Sequence, residues 1–363
     1  MYNSDSRIVL TLDAGGTNFV FSAIQGNKEI VTPLTLASNV DNLDQCLKTI
    51  VFGFEQVKQQ LNKPPVAISF AFPGPADYEH GIIGDLPNFP SFRGGVALGP
   101  FLKKKFGIPI YINNDGHLFA YGEALAGALP QLNKELAASG SKKKYRNLLG
   151  VTLGTGFGGG VVIDNVLLLG DNFCGGCVWL SANKLNNDLL AETNVSIRAV
   201  KQKYNEYAGM KVDLTPKDIF DIAEGTLEGN RKAAVKSFEE LGKVAGFTIA
   251  ESLNIVDGIV VIGGGISKAY KYFLPSMLAE MKGSRKAING DVFPRLQIKP
   301  YNLMDENEKI QFLQDETNDV LIHGTTNYVK YNVAKKTGVL ISSLGTSKAV
   351  SLGAYNFALN QLD

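Results

Sequence analysis

Two short stretches, TLDAGGT at residues 11–17 and TLGTGFG at residues 152–158, decide how this chain folds. Each follows an apolar run typical of a buried strand and continues, after a glycine-rich turn, into a second apolar run. A supersecondary unit that occurs twice indicates two related α/β halves. Two hairpins that arose independently are the alternative interpretation, because short turn sequences resemble one another.

Length, composition and charge limit the classes of protein to which the chain can belong. The chain has 363 residues, 39 glycines, a net charge of +1, 45% hydrophobic residues and 20% charged residues. This mix is typical of a globular protein of about two domains. The balanced charge argues against a nucleic-acid or membrane partner. The start MYNSDSRIVL does not resemble a signal peptide, and three cysteines are too few for a disulfide framework, so we expect a cytoplasmic protein.

Local patterns predict the elements that carry these stretches. The segments IVLTLD, FVFSAI and EIVTPL predict a β-meander at the start of the chain. Further strands are expected at 65–72, 108–114 and 258–265, and helices at about 41–61, from Asp115 to Gly127, and at 346–361. The polar segment 130–147 is expected to be a surface excursion, and residues 285–340 show a mixed pattern.

Three glycine clusters, at residues 13–17, 154–160 and 263–265, each follow an apolar strand. Glycine permits positive φ and close backbone approach, so that successive N–H groups can point at one anion. One such loop is weak evidence for a phosphate site, and three are better evidence. The chain has neither a GxxxxGK[ST] loop nor the dinucleotide fingerprint, which argues against those two nucleotide-binding classes.

Two aspartates stand at positions where a carboxylate could do chemistry. Asp13 lies in the first loop beside Thr17, where it could hold Mg²⁺ through water or could bond the amides of the turn. Asp115 follows Asn114 at a strand-to-helix junction, where it could cap the helix or accept a proton from a substrate hydroxyl. Positioned phosphates, a metal and such a base are what phosphoryl transfer requires.

Six short motifs occur in an order and rough spacing that resemble the ROK sugar kinases. They are DAGGT at 13–17, PGP at 73–75, LPN at 86–88, ND at 114–115, LGTGFGGG at 153–160 and GGG at 263–265. The resemblance covers most of residues 7–270 and the C-terminal end. It implies the α/β, actin-like ATPase (ribonuclease H-like) fold, with two α/β domains around a cleft, and it favours a homodimer. The implied domains are residues 1–117 with 346–363, and residues 118–345.

The resemblance also implies roles for individual residues. Asp115 would be the general base for a sugar hydroxyl, and Asn88 and Asn114 would hydrogen-bond the sugar. The residues that would bind the phosphates and the adenosine are Asp13, Gly15, Gly16, Thr17, Gly154, Thr155, Gly156, Gly158, Gly263, Gly264 and Gly265. ATP and Mg²⁺ are the implied cofactors, with Mg²⁺ held by Asp13 through water, and the implied pathway is glycolysis.

The segment after the second phosphate loop departs from the family pattern. Cys177 stands where the family has a sugar-binding Glu, Leu180 stands where it has a His, and SANKLNNDLLAE at 181–192 replaces the zinc loop. Cys174 and Cys177 alone cannot complete a tetrahedral site, so we expect no zinc. The polar residues that could replace the lost side chains are Asp171, Asn172, Asp188 and Glu192. Trp179 is expected in the core rather than stacked on a sugar.

Two classes of function follow from these residues. The first is an ATP-dependent hexose kinase of the glucokinase type, or a kinase for another hexose or an N-acylhexosamine such as fructose or N-acetylmannosamine. The second is a non-catalytic sugar or nucleotide sensor, which the losses at Cys177 and Leu180 favour and the retention of Asp13 and Asp115 opposes. A DNA-binding repressor is not expected, because residues 1–7 alone precede the first strand.

Overall fold

The computed structural model describes residues 2–15, 17–74, 76–84 and 90–363. The strands are Val9–Ala14 (β1), Asn18–Gln25 (β2), Lys28–Glu29 (β3), Leu34–Ala37 (β4), Ala67–Ala71 (β5), Ala76–Asp77 (β6), Ile82–Ile83 (β7), Ile110–Asn113 (β8), Leu148–Leu153 (β9), Phe157–Ile163 (β10), Val166–Leu167 (β11), Ala182–Asn183 (β12), Asn186–Leu190 (β13), Ile259–Gly263 (β14), Ser284–Lys286 (β15), Val292–Pro294 (β16), Lys299–Asn302 (β17), Thr317–Leu321 (β18), Tyr328–Asn332 (β19) and Lys336–Ile341 (β20). The α-helices are Leu43–Gln59 (α1), Leu98–Phe106 (α2), Asp115–Leu125 (α3), Ala128–Ala138 (α4), Ile197–Ala208 (α5), Pro216–Glu224 (α6), Arg231–Val256 (α7), Tyr270–Met281 (α8), Glu306–Leu313 (α9) and Thr346–Leu362 (α10). Short 3₁₀ helices lie at Tyr2–Ser4, Pro90–Phe92, Val178–Leu180, Ala191–Thr193 and Gly265–Ala269.

The chain divides into two compact units. The first unit contains residues 1–127, 160–176 and 344–363, and the second contains 128–159 and 177–343. A boundary is expected after residue 117, whereas the first unit includes all of α3. This difference has a physical reason, because α3 is one continuous helix that packs along α10.

The sheet of the first unit has the strand order β3-β2-β1-β5-β8, with β4 also paired to β2. β1 and β2 are antiparallel, as the predicted meander requires, and β1, β5 and β8 are parallel. The expected third strand, EIVTPL, is instead split into β3 and β4, which both pair with β2. Pro33 lies between them, and a proline has no N–H to donate to a sheet.

Aromatic side chains fill the core on one face of this sheet. Phe21, Phe54 and Phe70 are fully buried, and the ring centroids of Phe21 and Phe54 lie 5.2 Å apart with the rings edge to face. Gly53 on α1 faces this cluster, and a Cβ there would lie 2.3 Å from a carbon of the Phe21 ring. The helix can therefore approach the sheet only because residue 53 has no side chain.

On the opposite face of this sheet, α3 and α10 pack with their backbones almost in contact. A Cβ at Gly122 would lie 1.9 Å from the Ala349 carbonyl oxygen, and one at Gly353 would lie 1.8 Å from the Leu118 carbonyl oxygen. Such distances leave no room for a side chain at either glycine unless the facing backbone moves. The pair of helices fixes the direction of α3, and therefore the position of its first residue, Asp115.

The second unit contains the parallel strands β9, β14, β20 and β17 in that order. The strand β9 leads into the second glycine loop, as β1 leads into the first. In each unit the strand before the loop is followed across the sheet by two further parallel strands, β5 and β8 in one and β14 and β20 in the other. This shared arrangement is the structural counterpart of the internal repeat.

The segment 130–147 is not simply a surface excursion, so that expectation is wrong. Its first part lies in α4, where Leu132 and Leu136 are buried. Tyr145, near its end, is also buried, and its hydroxyl donates to the Lys336 carbonyl oxygen at 2.7 Å. The apolar residues of this helix recur at helical spacing, but the polar residues around them conceal the pattern.

Candidate active site

The turn between β8 and α3 holds Asp115 in a fixed and accessible position. The Asn114 side chain caps the helix, since its Oδ1 accepts from the Gly116 N–H at 2.8 Å. Asp115 is the first residue of the helix; its Oδ1 lies 2.9 Å from the same N–H, and its side chain is exposed. Because Asn114 supplies the cap, the Asp115 carboxylate remains available to a ligand.

Asp13 lies at the same edge of the sheet as Asp115. In the register of the parallel strands, Asp13 is paired with Ala71 on β5, and Ala71 is paired with Asn113 on β8. Asn114 and Asp115 follow Asn113 directly. The carboxyl ends of parallel strands are where ligands bind in α/β sheets, so the strand order brings the two predicted carboxylates to one edge of the sheet.

The surroundings of Asp115 raise its pKa. The main cause is desolvation, because the protein around the carboxylate displaces much of its water even though one side stays open to solvent. The Gly116 N–H and the neighbouring His117 oppose this rise, while the negative charge of Asp13 adds to it. A carboxylate with a raised pKa is a stronger base than an ordinary surface aspartate.

The first glycine loop turns tightly after β1. The Gly15 N–H donates to the Asn18 carbonyl oxygen at 3.0 Å, and a Cβ at Gly15 would lie 2.9 Å from that oxygen. Thr17 is exposed, and its carbonyl oxygen accepts from the Ser38 N–H at 3.0 Å. Gly16 lies outside the described residues, as does Asn88, one of the two expected sugar ligands.

The second glycine loop is attached to α5 and to Glu192. The Gly154 carbonyl oxygen accepts from the Ile197 N–H at 2.8 Å, and Glu192 Oε2 accepts from the Phe157 N–H at 2.9 Å. A Cβ at Gly156 would lie 2.5 Å from Glu192 Oε2. Of the four polar residues considered as replacements, Glu192 therefore reaches a glycine loop, while Asp171, Asn172 and Asp188 are exposed. Gly158 lies within β10.

A cavity of about 400 Å³ adjoins this loop and has basic walls. Its lining residues are Thr155, Ile197, Arg198, Lys201 and Gln202. Arg198 and Lys201 lie on the same face of the first turns of α5, whose N-terminus carries a partial positive charge. Lys201 also forms an ion pair with the exposed Asp213. Arg198 and the N-terminus of α5 together suit an anionic ligand.

The third glycine cluster begins where β14 ends, beside the end of β9. Gly263 is paired with Thr152 in the parallel register, so this cluster and the second glycine loop lie at neighbouring strand ends. Gly264 has φ +89°, and a Cβ there would lie 2.2 Å from the Leu153 carbonyl oxygen. Gly265 has open space where a Cβ would point. Gly263 is buried, Gly264 is half-buried and Gly265 is exposed, so the strand reaches the surface only at its last glycine.

The structure corrects one expectation and adds residues that sequence reasoning missed. Trp179 is 37% exposed and does not belong to the core. His117 and Asn113 are buried beside Asp115, and His117 Nδ1 lies 3.0 Å from Asn113 Oδ1. Their only signal in the sequence is that both lie two residues from Asp115, Asn113 at the end of β8 and His117 about half a turn into α3. In the part of the chain that the structure describes, no three His, Cys, Asp or Glu side chains form a metal-binding group, and no helix is long and apolar enough to cross a membrane.

Known proteins resemble this chain over most of its length. The model of the ROK family matches residues 9–292. A glucokinase from Thermotoga maritima is 28% identical over 72% of this chain and 83% of its own length, and an N-acetyl-D-glucosamine kinase from Vibrio cholerae is 26% identical over 70% and 83%. A crystal structure of glucokinase from Parabacteroides distasonis is 56% identical, covers 99% of both chains and superposes with a TM-score of 0.88.

The fold agrees with these similarities. The α/β, actin-like ATPase fold expected from the motifs is confirmed, since the chain matches the family and superposes on a glucokinase over nearly its whole length. The family match, the glucokinase relatives and the fold together identify the chain as a sugar kinase of the ROK family.

Proposed function

We propose that the chain transfers the γ-phosphoryl group of ATP to a hydroxyl of glucose, with Asp115 as the general base. The observation that carries this proposal is the position of Asp115, an accessible carboxylate with a raised pKa at the carboxyl end of the sheet. The glucokinases among the relatives support glucose as the substrate.

Several of the predicted residues have a part in this reaction. Asp115 would accept the proton of the attacking hydroxyl, and Asn114, one residue earlier in the turn, would hydrogen-bond the sugar. In the second unit, the loop that contains Thr155 would bind the phosphates of ATP, and the Gly263–Gly265 cluster would lie beside the adenosine. The basic cavity next to Thr155 supports this assignment, because phosphates carry the charge that Arg198 and Lys201 would neutralise.

Mg²⁺ is the metal that this chemistry implies. When bound, it withdraws charge from the phosphoryl oxygens of the nucleotide. The Asp13 carboxylate fits this ion, because Asp13 is partly exposed at the end of β1 and offers the hard oxygen donors that Mg²⁺ prefers. We assign Asp13 to this role, with water completing the coordination.

Besides glucose, an N-acylhexosamine and fructose are candidate substrates. A relative is an N-acetyl-D-glucosamine kinase, which favours an N-acylhexosamine as the second candidate. Fructose is the third. Hydroxyl-binding side chains can separate such sugars strongly, because a mismatched sugar leaves a buried polar group unpaired.

An ADP-release assay with purified enzyme, ATP and Mg²⁺ tests this proposal directly. The panel contains glucose, fructose, N-acetylglucosamine and N-acetylmannosamine, with a control that lacks sugar. We expect glucose to give the highest kcat/KM and the control to give almost no ADP. ATP binding without turnover of any sugar would favour the sensor instead.

We also propose that the protein forms a homodimer through the hairpin of β18 and β19. Val320 and Val329 are paired across this hairpin and are 47% and 52% exposed, and Ile322 and Tyr331 extend the same face. An isolated two-stranded hairpin is marginally stable in water, and exposed apolar faces mark association sites. A net charge of +1 offers little repulsion between two copies. The cytoplasmic location and the place in glycolysis stay predictions.

A further inference from the structure

A buried histidine lies one half-turn from the proposed base. His117, on α3, is 3% exposed. Its Nδ1 lies 3.0 Å from Asn113 Oδ1, and its Nε2 lies 2.5 Å from the Gly175 carbonyl oxygen. Gly175 belongs to the segment that follows the second phosphate loop, far from α3 in sequence but in the same unit. The ring therefore connects two parts of the first unit.

The partners of the ring determine where its proton lies. Asn113 Oδ1 also accepts from the Asn114 N–H at 2.8 Å, so the atom facing His117 Nδ1 is the oxygen of that amide. Both ring nitrogens thus face acceptors. Burial lowers the pKa of His117, while the Gly175 carbonyl and Asp115 oppose this shift. In a neutral ring the single N–H belongs at Nε2, because the contact to Gly175 is the shorter one.

The segment around Gly175 is closely packed and has little freedom to find another position. A Cβ at Gly175 would lie 2.3 Å from the Leu168 carbonyl oxygen, and the Gly175 N–H donates to the Leu169 carbonyl oxygen at 2.8 Å. Gly176 has φ +76°. The backbone is therefore closely packed at Gly175, and His117 donates to the carbonyl oxygen of that residue.

We infer that His117 is a positioning residue that holds segment 170–176 against the helix turn bearing Asp115 and thereby affects the affinity for the sugar. This inference rests on the proposed function. In the family pattern, sugar-binding Glu and His side chains follow this segment directly in the sequence, and here Cys177 and Leu180 stand in their places. With those side chains replaced, the position of the segment depends more on contacts such as the His117–Gly175 hydrogen bond.

Two conservative substitutions separate the two contacts of the ring, the Nε2–H donation to Gly175 and the approach of Nδ1 to Asn113. In His117→Gln the side-chain amide nitrogen can take the place of Nε2 and keep the donor to Gly175. In His117→Asn the shorter side chain reaches Asn113 but not Gly175. We expect His117→Asn to raise the KM for the sugar about tenfold, the effect of one lost hydrogen bond. His117→Gln should stay within about threefold, and the KM for ATP should change little in both.

Amide hydrogen exchange provides a readout that needs no catalytic turnover. Exchange in residues 168–176 should be faster in His117→Asn than in the wild type, and close to the wild type in His117→Gln. ¹⁵N spectra of wild-type protein labelled at its three histidines show which ring nitrogen of each histidine carries the proton. For His117 we expect the proton on Nε2. The inference is overturned if the Asn and Gln variants behave alike in exchange or in sugar KM, or if Nε2 carries no proton. A wild type that phosphorylates no sugar contradicts the proposed function, while exchange and the tautomer still decide the role of His117.

Discussion

At the scale of single residues, the proposed chemistry depends on whether the Asp115 carboxylate is free to react or is needed to cap α3. Asn114 caps α3, so Asp115 does not need to. Desolvation and the charge of Asp13 raise the pKa of Asp115, and the Gly116 N–H limits that rise. The result is a carboxylate that is held in place through its backbone and that binds protons more readily than an ordinary surface aspartate.

This raised pKa predicts the pH dependence of the enzyme. The base acts in its deprotonated form, so kcat/KM for the sugar should rise with pH through the pKa of Asp115. Because that pKa is raised, the acid limb should lie above the value of about 3.9 that is usual for aspartate. A pH profile of kcat/KM at saturating ATP measures this limb. A limb at the ordinary value, or none, would contradict the assignment.

The sequence could predict Asp13 and Asp115 but not the residues that surround them. Both aspartates follow apolar strands directly, and the ends of parallel strands meet at one edge of a sheet, so local pattern was sufficient. The contact of Glu192 with the Phe157 N–H joins two elements whose packing no local pattern specifies. His117 was missed for the same reason, because its partner Gly175 is distant in sequence.

At the scale of elements, the sequence predicts the bounds of a helix where a residue has a strong local preference for that position. α3 begins at Asp115 after the cap Asn114, and α10 covers Thr346–Leu362 close to the expected range. The helix α4 was not predicted, because polar residues surround its buried Leu132 and Leu136. Tertiary packing, rather than local propensity, makes that segment a helix.

The close packing of α3 on α10 gives a prediction for stability. Replacing Gly122 with Ala places a Cβ against the Ala349 carbonyl oxygen, which must move because it is backbone. We expect Gly122→Ala to lower the free energy of unfolding by about 1–3 kcal/mol, despite the better helix propensity of alanine. Urea denaturation measures the change, and Ser347→Ala, at an exposed position of α10, is the control expected within about 0.5 kcal/mol of the wild type. If Gly122→Ala were as stable as that control, α3 and α10 could move apart at no cost in free energy, which would contradict this prediction.

At the scale of the whole molecule, the proposed homodimer depends on the apolar face of the hairpin β18–β19. Val329→Asp places a charge in the centre of that face, and burial of an unpaired charge is costly. We expect sedimentation velocity to show a dimer for the wild type and a monomer for Val329→Asp at the same concentration. Ile255→Asp, which changes an apolar residue that is 87% exposed on α7, should remain dimeric. A monomeric wild type, or an undisturbed dimer of Val329→Asp, would refute this surface as the interface.

The central claim is that Asp115 removes the proton from the sugar hydroxyl. The substitution Asp115→Asn tests it best, because the amide keeps the size of the side chain and an oxygen near the Gly116 N–H. Single-turnover and steady-state kinetics should show kcat reduced by about 10²–10⁴-fold, while calorimetry should show nearly unchanged binding of a non-hydrolysable ATP analogue. Asp41→Asn, at an exposed position of the first unit, should retain wild-type kcat. Full activity of Asp115→Asn would contradict the account.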